Sequence, residues 1–210
     1  KRRRLFSGVD RFLLYDLVGP DGSVNENVFA YTNGDGSERA LVAFNNSFVR
    51  AEGRLRESAS FAEKLPGGEK RMGRSDLAAA LGLAGVGEAG GFARARFCVM
   101  REQRSELWFI RRSREIAESG LRLILGGYQC QVFLDFFEVQ DDERGLYSAV
   151  HDALGGAGTP DFSATVQDIA LKELYAALAA LVTPELLAWA RELGAPRATR
   201  SCYSSSPPPI

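Results

Sequence analysis

Asp135 and Glu138 lie three residues apart on one predicted strand and could be considered a glycosidase pair. Glycoside hydrolysis needs two carboxyl groups about 5–10 Å apart across a sugar-binding cleft, and nothing in the sequence supplies that cleft. His151 is the only histidine, so no triad or imidazole pair can be built within the chain. We therefore assign no catalytic residue and expect this chain alone to have no enzymatic activity.

The acidic run Asp141-Asp142-Glu143 could bind a cation, because clusters of carboxylate oxygens do so. Adjacent acids at the start of a helix point in different directions, and the helix dipole favours negative charge there. Helix capping is the better interpretation, and we predict no metal site.

The segment Gly85–Gly90, GVGEAG, matches the dinucleotide-binding pattern G-x-G-x-x-G. That motif needs a strand before it and a helix after it, so that backbone N–H groups point at a pyrophosphate. Here a predicted helix precedes the glycines and a strand follows them. We interpret the segment as a loop and expect no cofactor.

Three aromatic residues outside the predicted core, Trp108, Tyr31 and Phe29, could form a stacking platform for the apolar faces of sugar rings. The alternative is that they lie in the core or in a contact between domains. The sequence leaves both possibilities open.

The central stretch Leu121–Glu138 predicts two strands joined at Gly126-Gly127, because its apolar residues alternate with a period of two. In the second strand Phe133 and Phe137 fall among the polar residues of the opposite face. A solvated face should not carry two phenylalanines, so we expect another domain, or the helices that follow, to cover them.

The remaining strands are short and separated by turns. The clearest hairpin joins Val28–Thr32 to Arg39–Asn45 through residues 33–36, which tolerate positive φ. Phe12–Val18 is apolar on both faces and predicts a strand covered from both sides. Beyond Val139 the period changes to 3.6, and Thr183-Pro184 predicts a helix start.

These patterns predict a mainly β fold, an antiparallel β-sandwich followed by two or three helices. We expect a linker at residues 1–8 from an upstream domain, the sandwich at 9–139, a helical extension at 140–195 and a disordered tail at 196–210.

Composition limits the possible partners. The 210 residues are 45% hydrophobic and 25% charged, with a net charge of −1, so no global field attracts nucleic acid or an anionic membrane. Cys98, Cys130 and Cys202 give no disulfide framework and no metal spacing. Cys98 and Cys130 are expected as small buried residues, with a disulfide between them as the alternative. A cytoplasmic location fits best.

Two segments carry a resemblance to a known family, ALVAFNNSF at Ala40–Phe48 and LRLILGGYQCQVFLDF at Leu121–Phe136. They resemble strands of the C-terminal β-sandwich domain of alpha-amylase superfamily glycoside hydrolases. The longer stretch Val9–Phe48 resembles a group of large bacterial proteins in which helices follow the sandwich. The resemblance covers roughly Leu5–Gly158. It implies that the family's three catalytic carboxylates would lie on an upstream barrel, and it transfers no active-site residue to this chain.

The resemblance implies a non-catalytic domain that supports an upstream catalytic barrel of the same polypeptide in an enzyme acting on alpha-glucans. In that case Phe133 and Phe137 would face the barrel. Two alternatives remain, a carbohydrate-binding sandwich and a protein-interaction module that uses the tail helices.

Overall fold

The computed structural model describes residues 2–64, 68–83 and 94–194 of the chain. The Gly85–Gly90 segment and the predicted tail at 196–210, including Cys202, lie outside the described residues. Contacts divide the chain into two units, Lys1–Ile169 and Ala170–Ile210.

The first unit is mainly β, with antiparallel pairing throughout. Its strands are β1 Leu13–Tyr15, β2 Val28–Asp35, β3 Glu38–Asn45, β4 Ala51–Leu55, β5 Phe61–Lys64, β6 Lys70–Gly73, β7 Arg96–Glu102, β8 Trp108–Arg112, β9 Leu121–Leu125 and β10 Cys130–Gln140. Its helices are α1 Arg3–Ser7, α2 Leu77–Ala80, α3 Ser113–Ser119, α4 Leu146–Leu154 and α5 Phe162–Ala170.

Six strands form the large sheet in the order β1-β2-β3-β10-β7-β8. The predicted hairpin is present as β2 and β3, which pair as far as Asp35 and Glu38. The turn is therefore Gly36-Ser37 rather than residues 33–36, and Gly36 has the positive φ of +55° that a tight hairpin turn requires. We call the face of this sheet that carries Leu41, Ala43 and Phe133 the inner face, and the opposite face the outer face.

The strands on either side of Gly126-Gly127 are both present, but they belong to different sheets. β9 pairs with β4 in a two-stranded sheet, and β10 lies between β3 and β7 in the large one. Leu121, Leu123 and Leu125 of β9 are buried in the main core, together with the inner face of the large sheet. The period-two pattern located both strands without indicating which partner each would have.

A β-bulge in β10 changes the face on which its side chains lie. The register with β7 shifts between Leu134 and Phe137, and Asp135 within the bulge has φ +54°. Phe133 is 5% exposed and belongs to the main core on the inner face. It is therefore a core residue, which does not fit the predicted interface with another domain.

Helices cover much of the outer face. Leu5 of α1 packs with Ala40 and Leu134, so part of the predicted linker at 1–8 is a helix that contributes to a small core. Val150 of α4 is buried with Phe97, Val99 and Ile110, and residues of α5 join this cluster, which we call the outer-face core. Because α4 and α5 share a core with the sheet, the contact boundary follows Ile169 rather than residue 139.

The second unit contains α6 Lys172–Leu181 and α7 Pro184–Gly194. α5 and α6 are separated at Leu171, where φ and ψ are −99° and 5°. The predicted cap of the last helix is present, since the N–H of Leu186 donates to Thr183 Oγ1 at 3.3 Å. Within the described residues no single helix is long and apolar enough to cross a membrane. α6 and α7 reach that length and composition only as a pair bent by 64°.

Candidate functional site

The carboxylates of Asp135 and Glu138 face different surroundings. Asp135 forms an ion pair with Arg2, which precedes α1 on the outer face. Glu138 Oε2 lies 3.5 Å from Arg96 Nη1, and its strand partner is Cys98 of the inner-face core. The two carboxyl groups therefore do not flank a common cleft, which a glycosidase pair would have to do.

The acidic run after β10 caps α4, as the sequence predicts. Asp141 is buried, and its carboxylate accepts hydrogen bonds from the Tyr147 N–H at 2.8 Å and the Ser148 hydroxyl at 2.6 Å. Asp142 accepts from the N–H groups of Arg144 and Leu146, and the Leu146 bond is the largest cause holding the Asp142 pKa below its usual value. Among the described residues no group of three or more His, Cys, Asp or Glu could hold a metal ion.

His151 lies on α4 beside the outer-face core. Its Nδ1 is 2.9 Å from Asp152 Oδ1, and its ring centroid is 5.6 Å from that of Phe97. The ring is thus held by one exposed carboxylate and one buried aromatic side chain, the kind of position expected at the rim of a core.

The structure does not bring the three predicted platform residues together. Trp108 lies on β8 at one edge of the large sheet, whereas Phe29 and Tyr31 lie on β2 near the other edge. Three strands separate β2 from β8, a distance of about 19 Å at the usual strand spacing. Trp108 is half-buried, edge-on to Phe137 at 6.0 Å and with the Arg101 guanidinium 5.8 Å from its ring centroid.

Phe29 and Tyr31 instead belong to an apolar surface on the outer face that extends over β1, β2 and β3. Leu14 pairs with Tyr31, Tyr31 with Val42, and Phe29 with Phe44, and all alternate with core residues. We call this surface the outer apolar patch and define it as Phe12, Leu14, Phe29, Tyr31, Val42 and Phe44. Leu14 is 51% exposed and Phe29 is 55% exposed.

The sequence did not predict this patch, because Phe12–Val18 suggested a strand covered on both sides. The structure corrects that expectation. β1 spans only Leu13–Tyr15 at the edge of the sheet, with Tyr15 buried and Leu14 exposed. The exposed side chains of β1 thus adjoin those of β2, and the ring centroids of Phe12 and Tyr31 are 5.2 Å apart.

A cleft of about 540 Å³ lies between the segment after β1, the end of β4 and the end of α3. Arg54 and Arg74, which line it, are held in place by the carbonyl oxygen of Gly120 at 2.9 Å and by Glu57 at 3.6 Å. Two further lining side chains, Asp16 and Arg56, make no hydrogen bond or ion pair within the part of the chain that the structure describes. The cleft therefore presents one acceptor and one donor group that are not engaged in the fold.

Gly53 sets the distance between β4 and the segment that forms one wall of this cleft. Val18 and Arg54 exchange backbone hydrogen bonds of 3.0 and 2.8 Å. A Cβ atom at Gly53 would lie 2.5 Å from the Val18 carbonyl oxygen. Only glycine allows this close approach without a backbone shift.

Comparison with known proteins gives no match. No family model, no curated protein and no solved structure is similar to this chain.

Proposed function

We propose that this chain is a non-catalytic C-terminal domain of an alpha-amylase-like glycoside hydrolase that acts on alpha-glucans. In this proposal the six-stranded sheet and the β4–β9 sheet form a β-sandwich of the kind found in that superfamily, and the domain supports an upstream catalytic barrel. The resemblance of Ala40–Phe48 and Leu121–Phe136 to strands of such domains is the sequence basis.

The sandwich proposal is supported by the position of the main core. Residues of β4 and β9 share one buried cluster with residues from the inner face of the large sheet. Packing of two antiparallel sheets through their apolar faces is the defining property of a sandwich. The small sheet has two strands in the described residues, and α2 and α3 contribute to the same cluster.

The outer apolar patch is the observation that carries the proposed function. A contiguous apolar surface on one sheet is an unfavourable feature for a domain that works alone, because it must be covered or remain hydrated. α1 packs next to this patch, with Leu5 buried against Ala40 and Leu134. A polypeptide extending upstream of α1 would therefore emerge beside the surface that it has to cover.

In this proposal the outer apolar patch is the surface on which the catalytic barrel docks. A barrel docked there would bury Leu14, Phe29 and their neighbours, and the resulting interface would stabilise the barrel against unfolding. The catalytic carboxylates would all belong to the barrel, which agrees with Asp135 and Glu138 being engaged with separate arginines.

The test uses the polypeptide extended upstream through the preceding reading frame. That frame should encode a (β/α)8 barrel with three carboxylates, and the extended protein should hydrolyse alpha-glucosidic bonds. Phe29→Ser should lower the Tm of the extended protein, because removing a buried aromatic anchor from an interface costs about 2 kcal/mol or more.

Phe48→Ser is the matched control, since Phe48 is 80% exposed in the loop after β3 and lies outside the patch. It should leave the Tm unchanged. An upstream frame without a barrel would contradict the proposal, as would equal effects of the two serine variants.

The cleft favours a second candidate function, carbohydrate binding. Asp16 and Arg56 offer an uncommitted carboxylate and guanidinium, which are groups that hydrogen-bond to sugar hydroxyls, and a volume of about 540 Å³ lies in the range of ligand sites. Titration calorimetry with maltoheptaose would detect such binding. Arg56→Ala should abolish it, whereas Arg50→Ala, which removes an exposed arginine paired with Glu52, should not. Absence of heat with the wild-type chain would exclude this candidate for linear alpha-glucans.

A further inference from the structure

The two helices of the second unit each carry a seam of large apolar residues with the spacing of a coiled coil. In α6 the spacing of Leu174, Leu178 and Leu181 is four and then three, and Leu171, immediately before α6, lies three residues before Leu174. In α7 Leu186, Trp189 and Leu193 follow steps of three and four. Alternating steps of three and four define the a and d positions at which one helix packs against another.

These seams are exposed. Their seven side chains are between 39% and 68% exposed. The comparable stripe of α5, Phe162, Val166 and Ile169, is packed against the buried residues of the outer-face core. The two helices meet at a bend of 64°, so they do not lie alongside each other as an antiparallel pair would.

Such short helices need a partner surface. α6 has 10 residues and α7 has 11, and isolated helices below about 12–15 residues are only marginally stable in water. The packing of an apolar face supplies most of the stability of a helix in a protein. The exposed seams must therefore be covered for α6 and α7 to persist.

We propose that a second copy of this chain covers them, so that α6 and α7 of two copies form a two-fold helical bundle. The a/d spacing calls for a helical partner, and an identical seam is complementary to itself in a two-fold arrangement. Charge does not oppose this, since residues 171–193 carry two basic and three acidic side chains, for a net charge of 2 − 3 = −1, and none occupies a seam position.

The apolar area is also sufficient. The seven seam residues, together with the exposed Tyr175, Val182 and Leu187, leave roughly 800 Å² of apolar surface per copy, at about 150 Å² for each fully exposed side chain. A standard protein interface buries about 800 Å² per partner. This inference is independent of the proposed function, because it involves neither the outer apolar patch nor a barrel.

Sedimentation equilibrium of the full chain at about 50 μM tests the proposal, because a dimer responds to protomer concentration. We expect a dimer for the wild type and a monomer for the double variant Leu174→Glu/Leu178→Glu. The dissociation constant of the dimer should rise at least about 100-fold in the double variant. Ala176→Glu is the matched control. It introduces the same side chain in α6 at the position opposite the seam, and it should leave the dimer intact.

A second measurement covers the case in which the double substitution unfolds α6 and α7. With Cys130 and Cys202 replaced by serine, Leu178→Cys should form a disulfide between two copies under oxidation, and Ala176→Cys should not. A wild-type chain that is monomeric at about 50 μM would overturn the proposal, whether the seams are then covered by another part of the chain or by a different protein. A dimer that survives the double variant, or one that Ala176→Glu also dissociates, would overturn it too.

Discussion

Phe133 and Phe137 are four residues apart on β10, yet their side chains lie on opposite faces of the large sheet. Phe133 packs edge-on against Phe109 in the inner-face core, with ring centroids 6.1 Å apart. Phe137 packs against Trp108 and Phe162 on the outer face, at 6.0 and 6.1 Å. Residues an even number apart share a face on a regular strand, so the bulge at Asp135 is what separates the two rings.

The two phenylalanines should therefore differ in their contribution to stability. Phe133 is 5% exposed, and Phe133→Ala should lower the free energy of unfolding by about 3–5 kcal/mol, the cost of truncating a buried aromatic side chain. Phe137 is 41% exposed, and Phe137→Ala should cost about 1–2 kcal/mol, because less apolar surface is lost. Urea unfolding followed by circular dichroism measures both values. Equal losses would contradict the assignment of the two faces.

The bulge depends on a backbone conformation that few side chains accept. Asp135 has φ +54°, and Asp and Asn adopt this left-handed region far more readily than β-branched residues. We expect Asp135→Val to lower the free energy of unfolding by about 1–3 kcal/mol. Asp135→Asn, which keeps the shape and loses only an exposed ion pair with Arg2, should cost less than about 1 kcal/mol.

A similar loss for both Asp135 variants would mean that the ion pair, and not the backbone conformation, stabilises this part of β10. Measuring the asparagine variant at high salt separates the two, because screening removes the contribution of an exposed pair.

Several elements followed from the sequence, for reasons that are local. The β2–β3 hairpin is specified by alternation and by glycines that accept positive φ, and the start of α7 by Thr183 and Pro184 in adjacent positions. The acidic run after β10 indicated the cap of α4, because a carboxylate at that place satisfies free N–H groups whatever the rest of the fold does.

What the sequence did not indicate depends on contacts between distant residues. The positive φ of Asp135 lies where the register between β10 and β7 shifts, between Leu134 and Phe137, and that register depends on a strand more than 30 residues earlier in the chain. The exposure of Leu14 follows from the edge position of β1, which the apolar run at Phe12–Val18 does not disclose. The cleft brings Asp16 and Arg56 together from segments 40 residues apart, with no motif to mark them.

The buried thiol of Cys98 should make the protein sensitive to alkali. Burial raises the pKa of Cys98 from its usual 9.0 to about 12, so between pH 9 and 12 the unfolded chain loses a proton that the folded chain keeps. The contribution of this thiol to the free energy of unfolding is therefore fully present below pH 9. Above pH 9 it is lost as the pH rises, by up to about 1.4 kcal/mol per pH unit.

Comparison with Cys98→Ala isolates this contribution. Between pH 8 and 10 the wild type should lose about 1 kcal/mol more than the alanine variant, since all other groups titrate alike in both. Urea midpoints at the two pH values provide the measurement. A thiol reagent at pH 8 offers a control on burial, because the half-buried Cys130 should react in the native state and Cys98 only after unfolding.

The last prediction concerns the wall of the cleft. A Cβ at Gly53 would lie 2.5 Å from the Val18 carbonyl oxygen and 2.8 Å from the Leu17 side chain, so Gly53→Ala must displace the segment that carries Asp16. We expect it to lower the free energy of unfolding by about 1–3 kcal/mol, the usual cost of overpacking. Gly8→Ala is the matched control, because nothing lies within 4 Å of the added Cβ and the backbone is extended there. It should change stability by less than about 0.5 kcal/mol. If the cleft binds maltoheptaose, Gly53→Ala should also weaken that binding while Gly8→Ala leaves it unchanged. A Gly53→Ala protein as stable as the wild type would show that the Val18–Arg54 contact is looser than 2.8 Å hydrogen bonding requires.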